Sequence, residues 1–177
     1  MRMMAKRKRA WMMARNPDGA EGPALPRRSG TYAVFLRLAE ATTLTIGRLG
    51  EWTLPAGTYG YVGSAFGPGG LAARAGRHWW GSSKRRWHLD HLRPHTEPVA
   101  LWWTTDARRR EALWARVFKG WPGVRAPVPG FGASDQRGAS HLFLFPALPE
   151  RAAFVDTLGR RAPRHAPVAA WPPDGGP

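Results

Sequence analysis

Residues 30–63 read GTYAVFLRLAEATTLTIGRLGEWTLPAGTYGYVG, and every tyrosine of the chain, Tyr32, Tyr59 and Tyr61, lies in this stretch. Thr31–Leu38 is rich in apolar, β-branched and aromatic residues and predicts a strand. Thr42–Gly47 predicts a second, short strand after a turn at Glu40-Ala41. Pro55-Ala56-Gly57 predicts another turn and Thr58–Ser64 a third strand. Tyr59 and Tyr61 are two residues apart and so share a sheet face. If the Tyr32 strand pairs with theirs, the phenol hydroxyls meet on one surface.

Working outward, Gly67-Pro68-Gly69-Gly70 breaks the chain and Leu71–Trp79 continues as a helix. A strand ending at Gly63, a glycine-rich loop and a helix start together predict an anion held at the helix N-terminus. The loop is no P-loop, because no Gly-Lys-Ser/Thr follows. Ser82-Ser83 predicts the cap of a helix over Lys84–Arg93, stopped by Pro94. Val99–Thr104 reads as a strand. Asp106 predicts the cap of a helix running to Lys119, where Gly120 and Pro122 end it. Pro127–Gly132 reads as a loop and His141–Phe145 as a last strand. The order βββααβαβ indicates a small α/β domain around a mainly antiparallel sheet. Residues 1–28 read as a flexible basic arm, 29–150 as the domain, and the Pro/Ala/Arg-rich residues 151–177 as a loose tail.

The 177 residues carry 27 Lys/Arg against 12 Asp/Glu, a formal charge of +15. The excess is +6 over residues 1–28 (8 − 2), +8 over 30–146 (15 − 7) and +1 over 147–177 (4 − 3). Charge of this sign inside the domain points to a polyanionic partner, most often nucleic acid. With no cysteine there is neither a disulfide framework nor a thiolate metal site. No apolar run reaches the roughly 20 residues a membrane span needs, and the N-terminus lacks a signal-peptide h-region, so a cytoplasmic protein without membrane contact is expected.

Arg74, Arg77 and His78 fall at helical offsets of three and four, a cationic face beside the phenols that suits a phosphate. Arg86-Trp87-His88-Leu89-Asp90-His91-Leu92 admits three readings: metal ligands, a buried Asp90–His hydrogen bond, or His88 and His91 facing phosphate. Glu111 borders the apolar stripe Leu113, Trp114, Val117 and Phe118 of its helix and could point into a cleft. One carboxylate suffices to anchor a hydrated magnesium whose other ligands are waters and substrate phosphate. An ordinary ion-pair role for Glu111 is the alternative.

GTY at 30–32, YVG at 61–63 and LAARAGRH at 71–78 resemble the GIY-YIG nuclease superfamily. YVGSA at 61–65, RWHLDHL at 86–92, GFGASD at 130–135 and SHLFLF at 140–145 are similar to a GIY-YIG-like subfamily of the DUF123 type, sometimes found fused to endonuclease III. The resemblance implies a compact α/β fold with a central three-stranded antiparallel sheet flanked by helices, and a metal-dependent endonuclease that hydrolyses DNA in repair or processing. It places Tyr32, Tyr61, Arg74, His78 and Glu111 at the catalytic centre. One tyrosine would orient or deprotonate water with help from His78, Arg74 would stabilise developing charge, and Glu111 would hold magnesium (or manganese). Substrate contacts would come from Gly63, Ser64, Arg77, Lys84, Arg86, His88, His91, Ser134, Asp135 and His141. The sequence departs from the pattern at Thr31, at Leu113 if the acid belongs there, and at Gln136 and Gly138, where similar proteins often carry cysteines. The competing readings are a non-catalytic nucleic-acid-binding module and a scaffold that recruits a base-excision repair glycosylase.

Overall fold

The computed structural model describes residues 13–15, 21–133 and 139–173. Its elements are β1 (Met13–Arg15), β2 (Glu21–Pro23), β3 (Gly30–Leu38), β4 (Thr42–Thr45), β5 (Glu51–Leu54), β6 (Gly57–Ala65), α1 (Gly70–Trp80), α2 (His88–Leu92), β7 (Glu97–Thr104), α3 (Glu111–Lys119), β8 (Leu142–Phe145), α4 (Arg151–Arg161) and β9 (Ala169–Trp171). The expected three-stranded sheet is instead five-stranded and antiparallel throughout, in the order β8-β6-β3-β7-β9. Strand β3 is the spine. It is paired on both edges, and of its nine residues only Arg37 is exposed. That explains its near-continuous apolar run, since a strand covered on both faces has no polar alternation to show.

Two apolar layers flank the sheet. On one face Tyr32, Val34, Leu36, Tyr59 and Tyr61 pack with Leu71, Ala75 and Trp79 of α1 and Leu89 and Leu92 of α2. The β4–β5 hairpin closes this side with Leu44, Ile46 and Leu54. The short strand expected over Thr42–Gly47 is β4, Thr42–Thr45, and it pairs with β5 in a separate two-stranded sheet. On the opposite face Ala33, Phe35, Val62 and Trp102 meet Trp114, Val117 and Phe118 of α3 and Phe154 and Leu158 of α4. The rings of Trp102, Phe118 and Phe154 lie at centroid distances of 5.0–6.3 Å, in the range of favourable tilted pairs.

The segment 151–177 is therefore no loose tail over its described part. Helix α4 covers the second apolar layer and β9 adds the sheet edge beside β7. The edge strands, four residues in β8 and three in β9, are set by pairing with β6 and β7, which lie far away in sequence. The arm also differs from expectation: β1 and β2 pair with each other in a two-stranded sheet. No helix among the described residues is long and apolar enough to cross a membrane.

Two helix boundaries move. The helix expected over Lys84–Arg93 is only His88–Leu92, followed by a 3-10 turn at Arg93–His95 that contains Pro94. Ser82 and Ser83 do not cap it; Asp90, in its first turn, accepts the N–H groups of Arg86 and Trp87 at 2.7 and 2.9 Å. Asp106 does not cap α3, which begins at Glu111. Its carboxylate binds the N–H of Arg108 and of Ala166 and the Arg110 side chain, tying the start of α3 to the C-terminal segment.

A chain ending at residue 150 loses the burial of Phe154, Leu158, Val168 and Ala170, at roughly 1.5–3 kcal/mol for each large side chain. Such a chain is expected to lose its cooperative urea transition and near-ultraviolet dichroism; a truncated protein as stable as the full chain would show that α4 and β9 are dispensable.

Candidate active site

The site forms at the end of the sheet where β3 begins and β6 stops. Gly30 stands opposite Ala65, Thr31 opposite Ser64 and Tyr32 opposite Gly63. Three other elements are pinned to that end. The Arg110 N–H donates to Thr31 Oγ1 at 3.0 Å and fixes the start of α3. The Val62 N–H donates to the His141 carbonyl at 3.0 Å, and the His141 N–H to the Phe131 carbonyl at 2.8 Å, which brings in the strand entry of β8. Helix α1 supplies Arg74. Thr31 is thus more than a mild departure from the motif: it is fully buried, and its hydroxyl does a job that an aliphatic residue could not.

The anion expected at the start of α1 has no room there. Gly70 N–H donates to Gly67 O, Leu71 N–H to Arg28 O, Ala72 N–H to Pro26 O and Ala73 N–H to Gly69 O. The donors of Gly70, Leu71 and Ala72, free in an isolated helix, are thus taken by the chain itself, and that of Ala73 makes the first intrahelical bond. Gly70 has φ +57, and a Cβ there would lie 2.3 Å from Arg28 O, so the glycine permits this docking.

Tyr32 and Tyr61 do converge. The Tyr32 hydroxyl lies 2.8 Å from His78 Nδ1, and the Tyr61 ring stands edge-on to His78 at 5.5 Å. The Arg74 guanidinium lies close enough to both phenols for its charge to act on each of them. Gly63 leaves space for this arrangement, since a Cβ on it would lie 2.5 Å from the Tyr32 hydroxyl oxygen. Gly132 has the same relation to Tyr61, 2.9 Å from its Cε2. Tyr59 shares the sheet face but not the site; its hydroxyl donates to Pro55 O at 2.6 Å.

Burial decides the charge states here. It raises Tyr61 to about 12, against the lowering pull of Arg74, and raises Tyr32 well above its ordinary value. Both phenols keep their protons at neutral pH. Burial likewise lowers His78 to about 3, with the Asp90 charge opposing and Arg74 assisting. His78 is neutral. A proton on Nε2 faces Asp90 Oδ1 at 4.0 Å, and Tyr32 then donates to Nδ1. These three groups form a fixed neutral wall rather than a set of bases.

Glu111 reaches an open cavity of about 310 Å³ lined by Ser64, Arg74, Arg109, Glu111, Gly132 and His141, with Ala112 and Ala133. His141 Nδ1 lies 2.8 Å from Glu111 Oε1, in a contact too bent for a full hydrogen bond. Burial would raise the Glu111 carboxyl, but His141, the Ser64 hydroxyl and the Arg74 charge together hold it below its ordinary value. It is an anion at neutral pH. Leu113 packs into the layer of Trp114 and Phe118, so Glu111 is the residue of α3 whose acid reaches the cavity. Arg109 is the functional residue that sequence reasoning missed. It is exposed, sits 5.1 Å from the Phe66 ring and lines the cavity; the run Arg108-Arg109-Arg110 just before Glu111 was the available signal.

Several expected contacts belong elsewhere. Arg77 binds Asp90 through Nε and Nη2 at 3.3 and 2.8 Å and also the Lys84 carbonyl, so it braces the 84–90 segment instead of facing phosphate. Asp90 pairs with this arginine and not by a hydrogen bond to histidine. Its carboxyl is lowered because these donors outweigh burial. His88 Nδ1 accepts the Gly132 N–H at 3.0 Å, and His91 lies beside Gly47. The metal-ligand reading of residues 88–91 therefore falls: among the described residues no three His, Asp or Glu side chains form a metal-holding group. Lys84 and Arg86 are exposed, and Gly63 is covered by Tyr32. Ser134 and Asp135, with Gln136 and Gly138, lie outside the described residues.

The family described as "Domain of unknown function DUF123" matches residues 31–164. The chain belongs to the DUF123 family. The match ends inside the segment that follows α4, so that helix belongs to the family's domain and the expected boundary at 150 moves outward. No curated protein and no solved structure matches the chain.

Two outcomes test this geometry. Gly63→Ala is expected to displace the Tyr32 hydroxyl and destabilise the protein by about 1–3 kcal/mol in urea unfolding; an unchanged midpoint would mean that Tyr32 does not rest on Gly63. The depressed His78 has an unfolded value near 6.5, so its contribution is complete above that pH and falls away as pH drops from about 6.5 towards about 3. Lowering pH from 7 to 5 should remove about 2 kcal/mol in the wild type and less in His78→Gln, compared by urea titrations at each pH.

Proposed function

We propose that this protein is a metal-dependent DNA endonuclease that hydrolyses a phosphodiester in the cavity between Arg74, Arg109 and Glu111. The observation that carries the reading is the meeting, at one end of the sheet, of two guanidinium groups and one ionised carboxylate. The likeness of GTY, YVG and LAARAGRH to the GIY-YIG motifs supports the same reading. The donor set fits a single hydrated divalent cation: Glu111 offers a carboxylate opening on a cavity with volume to spare for waters and a phosphate. Magnesium or manganese would supply positive charge at the phosphate oxygens and acidify a bound water.

The chain's own groups then have distinct tasks. Ser64 and His141 orient the Glu111 carboxylate and keep it ionised. Arg74 and Arg109 neutralise the charge that builds on the phosphate oxygens as water adds to phosphorus and the bridging P–O bond breaks. Arg74 is positioned by the Trp87 ring, 4.0 Å from its Cζ, and by the two phenols beside it. Tyr32, Tyr61 and His78 position the arginine and exclude water from its rear. Together these effects must lower a barrier by well over ~15 kcal/mol.

One observation favours a second reading. The phenols are protonated and His78 is neutral and buried, so none of the three stands ready as a base. A DNA-binding module that has kept the fold and lost the chemistry would look the same.

Nicking of supercoiled plasmid and of branched oligonucleotides in magnesium or manganese separates the two. Glu111→Gln and Arg74→Ala should each reduce cleavage at least about 100-fold, and chelation should abolish it. Equal nicking by wild type and Glu111→Gln removes Glu111 from the mechanism. Salt-sensitive binding with no turnover on any of these substrates leaves the binding module.

A further inference from the structure

We propose that the indole of Trp87 is a stacking platform for one unpaired nucleobase of the DNA whose phosphate enters the cavity, so that the substrate is DNA with an extrahelical or single-stranded nucleotide. The proposal rests on the phosphodiester reading above and adds the class of DNA taken.

Trp87 is 40% exposed, one of two large apolar side chains left open to solvent among the described residues; the other is Leu148. Exposing an indole forfeits burial that most tryptophans gain. The neighbouring tryptophans of this face offer no such surface. Trp79 is buried in the core, and Trp80 packs against it and beside Gly22. Trp87 is also rigid. Its N–H and that of Arg86 are held by Asp90, and Arg77 locks both Asp90 and the Lys84 carbonyl.

One face of the indole is already used. The Arg74 Cζ lies 4.0 Å from the ring centroid, a cation–π contact that joins Trp87 to an arginine of the cavity. The 40% exposure of Trp87 is what remains open with Arg74 in place. Lys84, Arg85 and Arg86, all exposed, precede it directly. An exposed aromatic plate that packs on Arg74, follows three exposed cations and is joined through that arginine to the cavity is complementary to a nucleotide: base on the plate, phosphate on Arg74. Within a duplex each base is covered by its neighbours and shows only edges, so a ring face of Trp87 can meet only a base that has left the stack.

The test uses the full chain in chelator, where no cleavage intervenes. The probes are a short duplex with one 2-aminopurine in a single-nucleotide bulge and the same duplex fully paired. The wild type should bind the bulged duplex more tightly and quench its 2-aminopurine. Trp87→Ala should lose about 10- to 100-fold on the bulged duplex and less than about twofold on the paired one, while Trp87→Phe keeps most of the preference. The salt dependence of binding should stay the same in both variants, because no phosphate contact is removed. Equal losses on both probes would reduce Trp87 to a brace for Arg74, and no loss on either would remove it from the interface. Bulge-selective binding without cleavage in metal would sink the endonuclease reading and leave this one; cleavage with no preference between probes would do the reverse.

Discussion

Arg74 is a half-buried cation, and the arrangement of the site follows from holding that charge where it is. Two phenols lie beside it and an indole packs against it. Each partner imposes a further condition. The Tyr32 hydroxyl needs the empty space over Gly63 and hydrogen-bonds His78. Trp87 needs the segment ahead of α2 to be held, and Asp90 and Arg77 hold it. A motif that looks in sequence like a list of tyrosines, glycines and cations is, in space, one chain of mutual support.

The same packing sorts the charges. Groups behind Arg74 are driven to their neutral forms by burial: both phenols protonated, His78 unprotonated. Groups in front of it keep their charge, with Glu111 held as an anion by Ser64 and His141. The net result is a dry, neutral rear and a polar, ionic front separated by one arginine. The front presents Arg74 and Arg109 with Glu111 beside them. The α1 terminus is closed by carbonyls of residues 26–28, whereas the start of α3, at Glu111, lines the cavity.

The parts of the fold that were legible from the residues share a cause. Strands β3, β6 and β7 and helices α1 and α3 announce themselves through local patterning and through Gly and Pro at their ends. Helix α2 was overextended because Ser82-Ser83 is a good cap in isolation; Asp90, three residues inside the true helix, outcompeted it by also gaining Arg77. The Pro-rich C-terminal segment looked unstructured because its strand β9 is three residues long and its meaning lies in the edge of β7. At the site, Tyr32, Tyr61, Arg74 and Glu111 were readable through spacing and resemblance, whereas Arg77 was placed on the ligand and turned out to serve Asp90. Arg109 escaped notice because an exposed arginine in a run of three carries no periodic signal.

Local chemistry, then, was enough to name the long central strands, the two helices that bear Arg74 and Glu111, the strongly cationic character and the absence of thiol chemistry. Those are properties of neighbours along the chain, where propensity, spacing and charge act over a few residues. The width of the sheet, the docking of α4 and β9, the sealing of the α1 terminus and the division of one set of polar side chains into neutral wall and ionic cavity arose only on folding. Each of these depends on which groups lose contact with water together, and that is fixed by contacts between residues dozens of positions apart.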